Sequence, residues 1–179
     1  GNYDSLAATV MERLRKEEND IYLLTNNVDK LGRKVKGTYR CYEIGNGEGM
    51  ADVYRTIGPD VVLYACADHQ RAQWSKDQSG CFALLVNNLE GAVCAKVGSF
   101  MFLSTIEVYG NPKQTADEST ATRPVTTKGL WMCQAEAMVD TYSKNHGLPT
   151  AILRLGQVFS GEVSMESQDF LARMKEMIE

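Results

Sequence analysis

Four short apolar runs, separated by polar or helix-patterned sequence, restrict this chain to few folds. They are Ile21-Tyr22-Leu23-Leu24, Val61-Val62-Leu63-Tyr64-Ala65, Ser99-Phe100-Met101-Phe102-Leu103 and Ala151-Ile152-Leu153. A run without polar alternation reads as a strand buried on both faces, and such strands need helices to cover them. Leu6, Val10, Met11 and Leu14 recur at helical spacing and predict a helix over about residues 4–17. Further helices are predicted over about 49–57, closed by Gly58, over about 80–94, and over about 167–178. The strongest spans about 126–145, with Leu130, Ala137, Met138 and Tyr142 among its apolar positions, and Gly147-Leu148-Pro149 stops it. Tyr42-Glu43-Ile44 adds a short strand, and 29–40 and 68–79 read as polar connections. Alternating strands and helices predict an α/β fold, a three-layer doubly wound parallel sheet with strands at about 21–25, 61–66, 99–104 and 150–155. Ligands in such sheets gather beyond the carboxyl ends of the strands. Those ends are Thr25-Asn26, Ala65-Cys66-Ala67, Ser104-Thr105 and Arg154-Leu155.

Composition narrows the function. The 179 residues are 44% hydrophobic and 23% charged, which suits one globular domain with its own core. The net charge of −4 supplies no basic footprint, so nucleic acid is not expected as a partner. No apolar run approaches the ~20 residues that span a bilayer, and no secretory apolar segment opens the chain, so no membrane partner is expected. Five cysteines without paired spacing read as reduced thiols, which predicts a cytoplasmic location. Only two histidines occur, His69 and His146, far apart, so no metal site is expected.

One stretch carries a more specific message. The run from Phe102 ends in Ser104-Thr105 and continues to Val108-Tyr109-Gly110. Ala116-Asp117-Glu118-Ser119, Pro124 and a helical segment opening at Thr126-Thr127-Lys128-Gly129 follow. In this layout the chain resembles the extended short-chain dehydrogenase/reductase family, the NAD-dependent sugar-nucleotide epimerases and dehydratases. The resemblance implies a Rossmann-like sheet, NAD or NADP as cofactor, and a nucleotide or sugar nucleotide as ligand. It places Thr25 and Asn26 at the ribose, Glu43 and Ile44 over the adenine, and Ala65, Cys66 and Ala67 beneath the cofactor. It sets Asn88 in the family's Asn-x-x-Gly segment and Thr105 at the catalytic hydroxyl. Glu136 falls eight residues after Lys128, as in the family, and Arg154 to Gly161 resembles a further family stretch with Gln157 in the Asn place. Asp4 stands where the last glycine of the phosphate loop belongs and reads as a helix N-cap. The resemblance further implies that 1–179 is a single Rossmann-like domain without the family's first strand and most of its C-terminal substrate lobe. A homodimer, or other domains of a larger polypeptide, are the implied protein partners.

The resemblance breaks at the chemistry. Where the family carries Tyr-x-x-x-Lys, this chain reads Lys128-Gly129-Leu130-Trp131-Met132. A tyrosine takes a sugar proton only when its pKa is pulled toward working pH, which a lysine one turn away achieves. Met132 supplies neither charge nor a hydrogen bond to ribose, so Met132 and Lys128 are candidates for family positions without the family's chemistry. Spacing of i, i+4 puts both on one helix stripe, expected near Thr105. Glu107, just past Thr105, reads as a surface turn. These features predict a non-catalytic nucleotide- or sugar-nucleotide-binding or structural module, with an active atypical NAD(P)-dependent epimerase or dehydratase as the alternative.

Overall fold

The computed structural model describes residues 2–25, 37–44, 49–65 and 78–156, with side chains from 9 onward in the first segment and from 80 onward in the last. Asn26, Cys66, Ala67, Gln157 and the helix expected over 167–178 lie outside the described residues. The chain forms two compact units, Gly1–Ile21 with Gln157–Glu179, and Tyr22–Gly156.

In the first unit, α1 spans Asn2–Lys16. Its last turn carries Arg13, Arg15 and Lys16, cations where the helix dipole is negative. Lys16 and Arg13 form exposed one-turn pairs with Glu12 and Glu17 at 3.5 and 2.8 Å. The helix begins two residues before Asp4, so Asp4 lies within it and not at the expected N-cap.

The second unit holds the sheet strands. Its elements are β1 (Tyr22–Thr25), β2 (Arg40–Glu43), α2 (Met50–Ile57), β3 (Val61–Tyr64), α3 (Gln78–Ala95), β4 (Ser99–Thr105), α4 (Thr127–His146) and β5 (Thr150–Leu155). Among the described residues every strand pair is parallel. β3, β4 and β5 form one ladder, with Tyr64 opposite Phe102 and Phe102 opposite Ile152. β1 and β2 form a second, with Thr25 opposite Glu43. Parallel strands alternating with helices make this an α/β fold of Rossmann type. β2 starts at Arg40, two residues ahead of the expected strand. The guanidinium of Arg40 donates to the Tyr22 hydroxyl at 2.7 Å and lies 5.4 Å from its ring centre. That cross-strand pairing draws the end of the basic segment into the ladder.

Glycines set the helix limits. Gly58 closes α2 at φ 62° and Gly147 closes α4 at φ 66°, left-handed conformations that cost glycine nothing. The side chain of Thr126 caps α4 by accepting from the Gly129 amide at 3.0 Å.

The core forms where β3 and β4 meet the helices. Tyr64 stacks on Phe100 and Phe102 with ring centres 5.9 and 6.0 Å apart. Leu85 and Leu89 of α3, and Met132, Ala135 and Val139 of α4, complete the same cluster. Fully burying an aromatic such as Phe100 or Phe102 contributes about 1.5–3 kcal/mol. Between α2 and α3, the Tyr54 hydroxyl donates to the Asn88 side-chain oxygen at 2.6 Å, and burial pushes that phenol's pKa upward. Tyr142 on α4 donates to Glu90 on α3, and partial burial with this carboxylate pushes its pKa up to about 12.

Gly91 fixes how closely α2 and α3 approach. A Cβ there would stand 2.9 Å from both the carbonyl carbon and the Cβ of Met50. Gly91→Ala is expected to destabilise the chain by about 1–3 kcal/mol through overpacking. At roughly 2–4 °C per kcal/mol for a chain this size, thermal unfolding will read it, and an unchanged melting temperature refutes the close contact.

Candidate functional site

The site is built where β4 ends. Thr105 is its last residue, and the Thr105 hydroxyl accepts from the Glu107 amide at 3.3 Å. This opens a 3-10 turn over Ile106–Tyr109, closed by Gly110 at φ 64° and ψ −124°. A Cβ on Gly110 would fall 2.0 Å from the carbonyl oxygen of Arg123, so only glycine fits. The Arg123 amide donates to the Val108 carbonyl at 2.9 Å and fastens the returning chain there. The Val-Tyr-Gly sequence is thus the signature of a tight turn pressed against its neighbour. Between turn and α4, the Asp117 carboxylate accepts from the Ser119 amide and hydroxyl at 3.0 and 2.7 Å, which holds its pKa below the usual carboxylate range.

The turn brings Glu107 to the start of α4. Lys128 donates to one Glu107 carboxylate oxygen at 2.7 Å, and the Thr126 hydroxyl donates to the other at 2.8 Å. The Lys128 and Glu107 side chains are 31% and 35% exposed, so the pair sits at a rim. Gly129 permits this approach, since a Cβ at 129 would stand 2.5 Å from the Glu107 carbonyl oxygen. Thr105, Glu107, Thr126 and Lys128 therefore form one polar constellation. Glu107 does lie in a turn, but its link to Lys128 joins residues 21 apart in sequence, with no local periodicity to announce it. Thr126 carried a readable signal as a hydroxyl residue three before Gly129, the N-cap spacing.

One helical turn on, Met132 enters a different environment. It is 5% exposed and packs among Tyr64, Cys81, Phe82, Leu85, Phe102, Trp131 and Ala135, around a small apolar cavity. The Phe82 and Trp131 rings stack 4.7 Å apart at 12°. At these two positions the side chains do not fit a nicotinamide nucleotide, since Met132 is a packed thioether and the Lys128 ammonium is engaged by Glu107.

Behind the rim lies a buried charge network. Arg154 of β5 donates to both carboxylate oxygens of Glu136 on α4, at 2.7 and 3.0 Å, and to the Tyr109 hydroxyl at 2.8 Å. Its guanidinium also lies 4.9 Å from the Tyr109 ring centre. The Ser104 hydroxyl donates to Glu136 as well. The Glu136 carboxylate holds the Arg154 pKa above its ordinary value, so this cation stays charged. The sequence marked Glu136 and Arg154 separately and did not pair them.

The remaining expected site residues fall into two groups. Thr25, Glu43 and Ile44 come together at the ends of β1 and β2, where the Thr25 carbonyl accepts from the Ile44 amide at 2.8 Å. Ala65 is exposed just past β3. Asn88 is buried, and its amide is engaged by Tyr54 and by the Leu84 carbonyl at 2.8 Å. Among the described residues no three His, Cys, Asp or Glu side chains are placed to hold a metal, and no helix is long and apolar enough to cross a membrane. Among the described residues, Cys41, Cys94 and Cys133 form no disulfide.

The family description "NAD dependent epimerase/dehydratase family" matches residues 6–178. The chain belongs to this family. No curated protein matches it. Among solved family structures it is similar to the UDP-glucose 4-epimerase of Thermus thermophilus in complex with NAD, with 22% identity and a TM-score of 0.73 over 87% of this chain and 53% of that one. The UDP-glucose 4-epimerase of Thermotoga maritima with UDP-glucose gives 17% identity and a TM-score of 0.71 over 82% and 50%. Pal from Bacillus thuringiensis gives 18% identity and a TM-score of 0.71 over 93% and 59%. At these identities the likeness is one of fold, and the chain spans about half the length of the proteins it matches.

Removing one partner from a buried ion pair costs about 3–5 kcal/mol. Arg154 keeps some solvent access, at 23% side-chain exposure. Glu136→Gln is therefore expected to destabilise the protein by about 2–4 kcal/mol and Ser104→Ala by about 1 kcal/mol. Urea unfolding at pH 7 measures both, and a Glu136→Gln midpoint equal to the parent's would show that the network carries no stability.

Proposed function

We propose that this chain is a non-catalytic member of its family, a module that holds a nucleotide or sugar nucleotide without turning it over. The observation that carries the reading is the ion pair between Lys128 and Glu107 at the position where a catalytic tyrosine belongs. A base must offer a lone pair to the sugar hydroxyl, whereas Lys128 is donating a proton to a carboxylate. Met132, packed among aromatic rings, neither tunes a neighbouring pKa nor grips a ribose. Thr105 can donate a hydrogen bond to a ligand oxygen but takes no proton at neutral pH. Catalytic pairs act as units, so losing both members removes the acid–base function outright.

The ligand class rests on the family and on two similar structures, described as complexes with NAD and with UDP-glucose. In this reading Glu43 with Ile44, Ala65 and Thr105 line the ligand, while Thr25 offers its ribose no carboxylate. Each missing charge-assisted bond weakens a dinucleotide by about 1.5–3 kcal/mol, so NAD and NADP bind poorly while a sugar nucleotide is retained.

Thermal shift with NAD, NADP and UDP-, GDP- and CDP-sugars tests this. A true ligand at a hundredfold its dissociation constant adds about 2.7 kcal/mol. The expected result is a shift with a sugar nucleotide, little shift with NAD, and no NAD reduction with any sugar nucleotide. Turnover by the unmodified chain would overturn the reading in favour of an active atypical enzyme. The double variant Lys128→Tyr with Met132→Lys is expected to remain silent, because the cofactor-facing residues are altered as well.

A further inference from the structure

α3 and α4 are tied together near their last turns. The Tyr142 hydroxyl of α4 donates to Glu90 of α3, and the His146 ring packs on the Tyr142 ring with centres 5.0 Å apart. Beyond that tie the two helix ends border a cleft of about 270 Å³. Val97 and Leu148, both buried, form its floor, and Pro149 is one wall. The Pro149 carbonyl accepts from the Phe100 amide at 2.8 Å, which fixes this wall to the start of β4. Lys96 and His146 also line the cleft, one from each helix end, and no described acidic side chain does. α4 is 20 residues long, about 30 Å, so the cleft lies at the far end of that helix from Lys128.

Lys96 follows the last residue of α3 at φ 56°. Glycine adopts this left-handed conformation without penalty, and Gly58 and Gly147 fill the equivalent places after α2 and α4. Glu18 takes the same conformation after α1, at φ 62°, so strain alone marks no site. At Lys96 it coincides with a cleft and puts a lysine at its edge. Bare helix C-termini would repel an anion. Here several of the last carbonyls are engaged, for Val93 and Ala92 accept from the Lys96 and Val97 amides at 3.1 and 3.0 Å, and Ser143 accepts from the Gly147 amide at 3.1 Å. That leaves Lys96 as the formal charge among the lining residues, with the His146 ring as a second hydrogen-bonding group.

We propose that this cleft binds a small organic phosphate monoester, its phosphate held by Lys96 and His146 and its apolar body laid on Leu148 and Pro149. The proposal does not depend on the reading of the rim around Lys128. The chemistry of the ligand follows from the lining. An ammonium is a compact point charge with three donors, suited to phosphate, whereas planar carboxylate recognition favours arginine. The buried aliphatic floor adds contact that a bare phosphate ion cannot use. A volume of about 270 Å³ is just under the roughly 300–1,000 Å³ typical of ligand pockets, so the ligand is small, one ring or a short chain and not a dinucleotide. The link from Glu90 through Tyr142 holds the His146 ring in place before the ligand arrives.

Amide chemical shifts of the whole chain, titrated with phenyl phosphate, test this. The amides of Val97, His146, Gly147 and Leu148 should move saturably. Inorganic phosphate should bind roughly tenfold more weakly, because it lacks the ring, and phenol should move nothing at the same concentration. Lys96→Gly should raise the melting temperature by about 2–4 °C, since glycine relieves the left-handed strain, and should weaken phenyl phosphate roughly tenfold or more. His146→Gln should weaken it several-fold. Unchanged affinity in Lys96→Gly would show that the lysine only complements a helix end, and would overturn the proposal. So would benzoate binding as tightly as phenyl phosphate, shifts confined to the rim at 105–110 and 126–129, or no saturable shift by about 10 mM, where a millimolar site is filled.

Discussion

The buried pairing of Arg154 with Glu136 is the constraint on which the rest of the site depends. It spans three elements at once, because Arg154 comes from β5, Glu136 from α4, and Ser104, which also bonds Glu136, from β4. Arg154 reaches on to Tyr109 and so holds the turn that carries Glu107. Two charges taken out of water repay their desolvation only when the geometry is good and the remaining lone pairs are satisfied. Both conditions hold here, since the pair is bidentate and Ser104 and Tyr109 take up further bonding capacity. The position of α4 against the sheet is thereby fixed behind the rim, whatever side chains stand at 128 and 132.

Two glycines then bring the polar groups within reach. Gly110 lets the turn fold against the Arg123 carbonyl, and Gly129 lets α4 begin against the Glu107 carbonyl. The contact between Lys128 and Glu107 is a consequence of these approaches. A rim pair this exposed contributes at most about 1 kcal/mol to stability, so its importance is chemical. It decides which groups still have free lone pairs or donors for a ligand.

Much of the fold was legible in the sequence because burial leaves a one-dimensional trace. The apolar runs at 61–65, 99–103 and 151–153 became adjacent parallel strands, and the helix limits followed Thr126, Gly58 and Gly147, residues with local conformational reasons to be there. The motif around Ser104 to Gly110 and the helix after it pointed to the family that the match over 6–178 establishes. The pairing of Glu107 with Lys128 was not legible, because it joins a turn to a helix across 21 residues and depends on two close backbone approaches. The early start of β2 escaped for a similar reason. Arg40 belongs to a basic segment and joins the strand through Tyr22, 18 residues away. Asp4 misled because cap preference is a local signal, and it says nothing of whether the helix continues upstream of it.

The residues at 128 and 132 are consistent with their surroundings at every level. Lys128 finds a carboxylate and remains partly in water, the ordinary condition of a lysine at a helix start. Met132 fills irregular space among Tyr64, Phe82, Phe102 and Trp131, a role suited to a flexible, polarizable side chain. A lysine at 132 would bring its ammonium into that apolar packing, with a desolvation cost of several kcal/mol unless a partner met it. No described carboxylate lines that cavity. The surroundings of Met132 are those of a core position, and the same packing that stabilises the Tyr22–Gly156 unit works against any charge placed there.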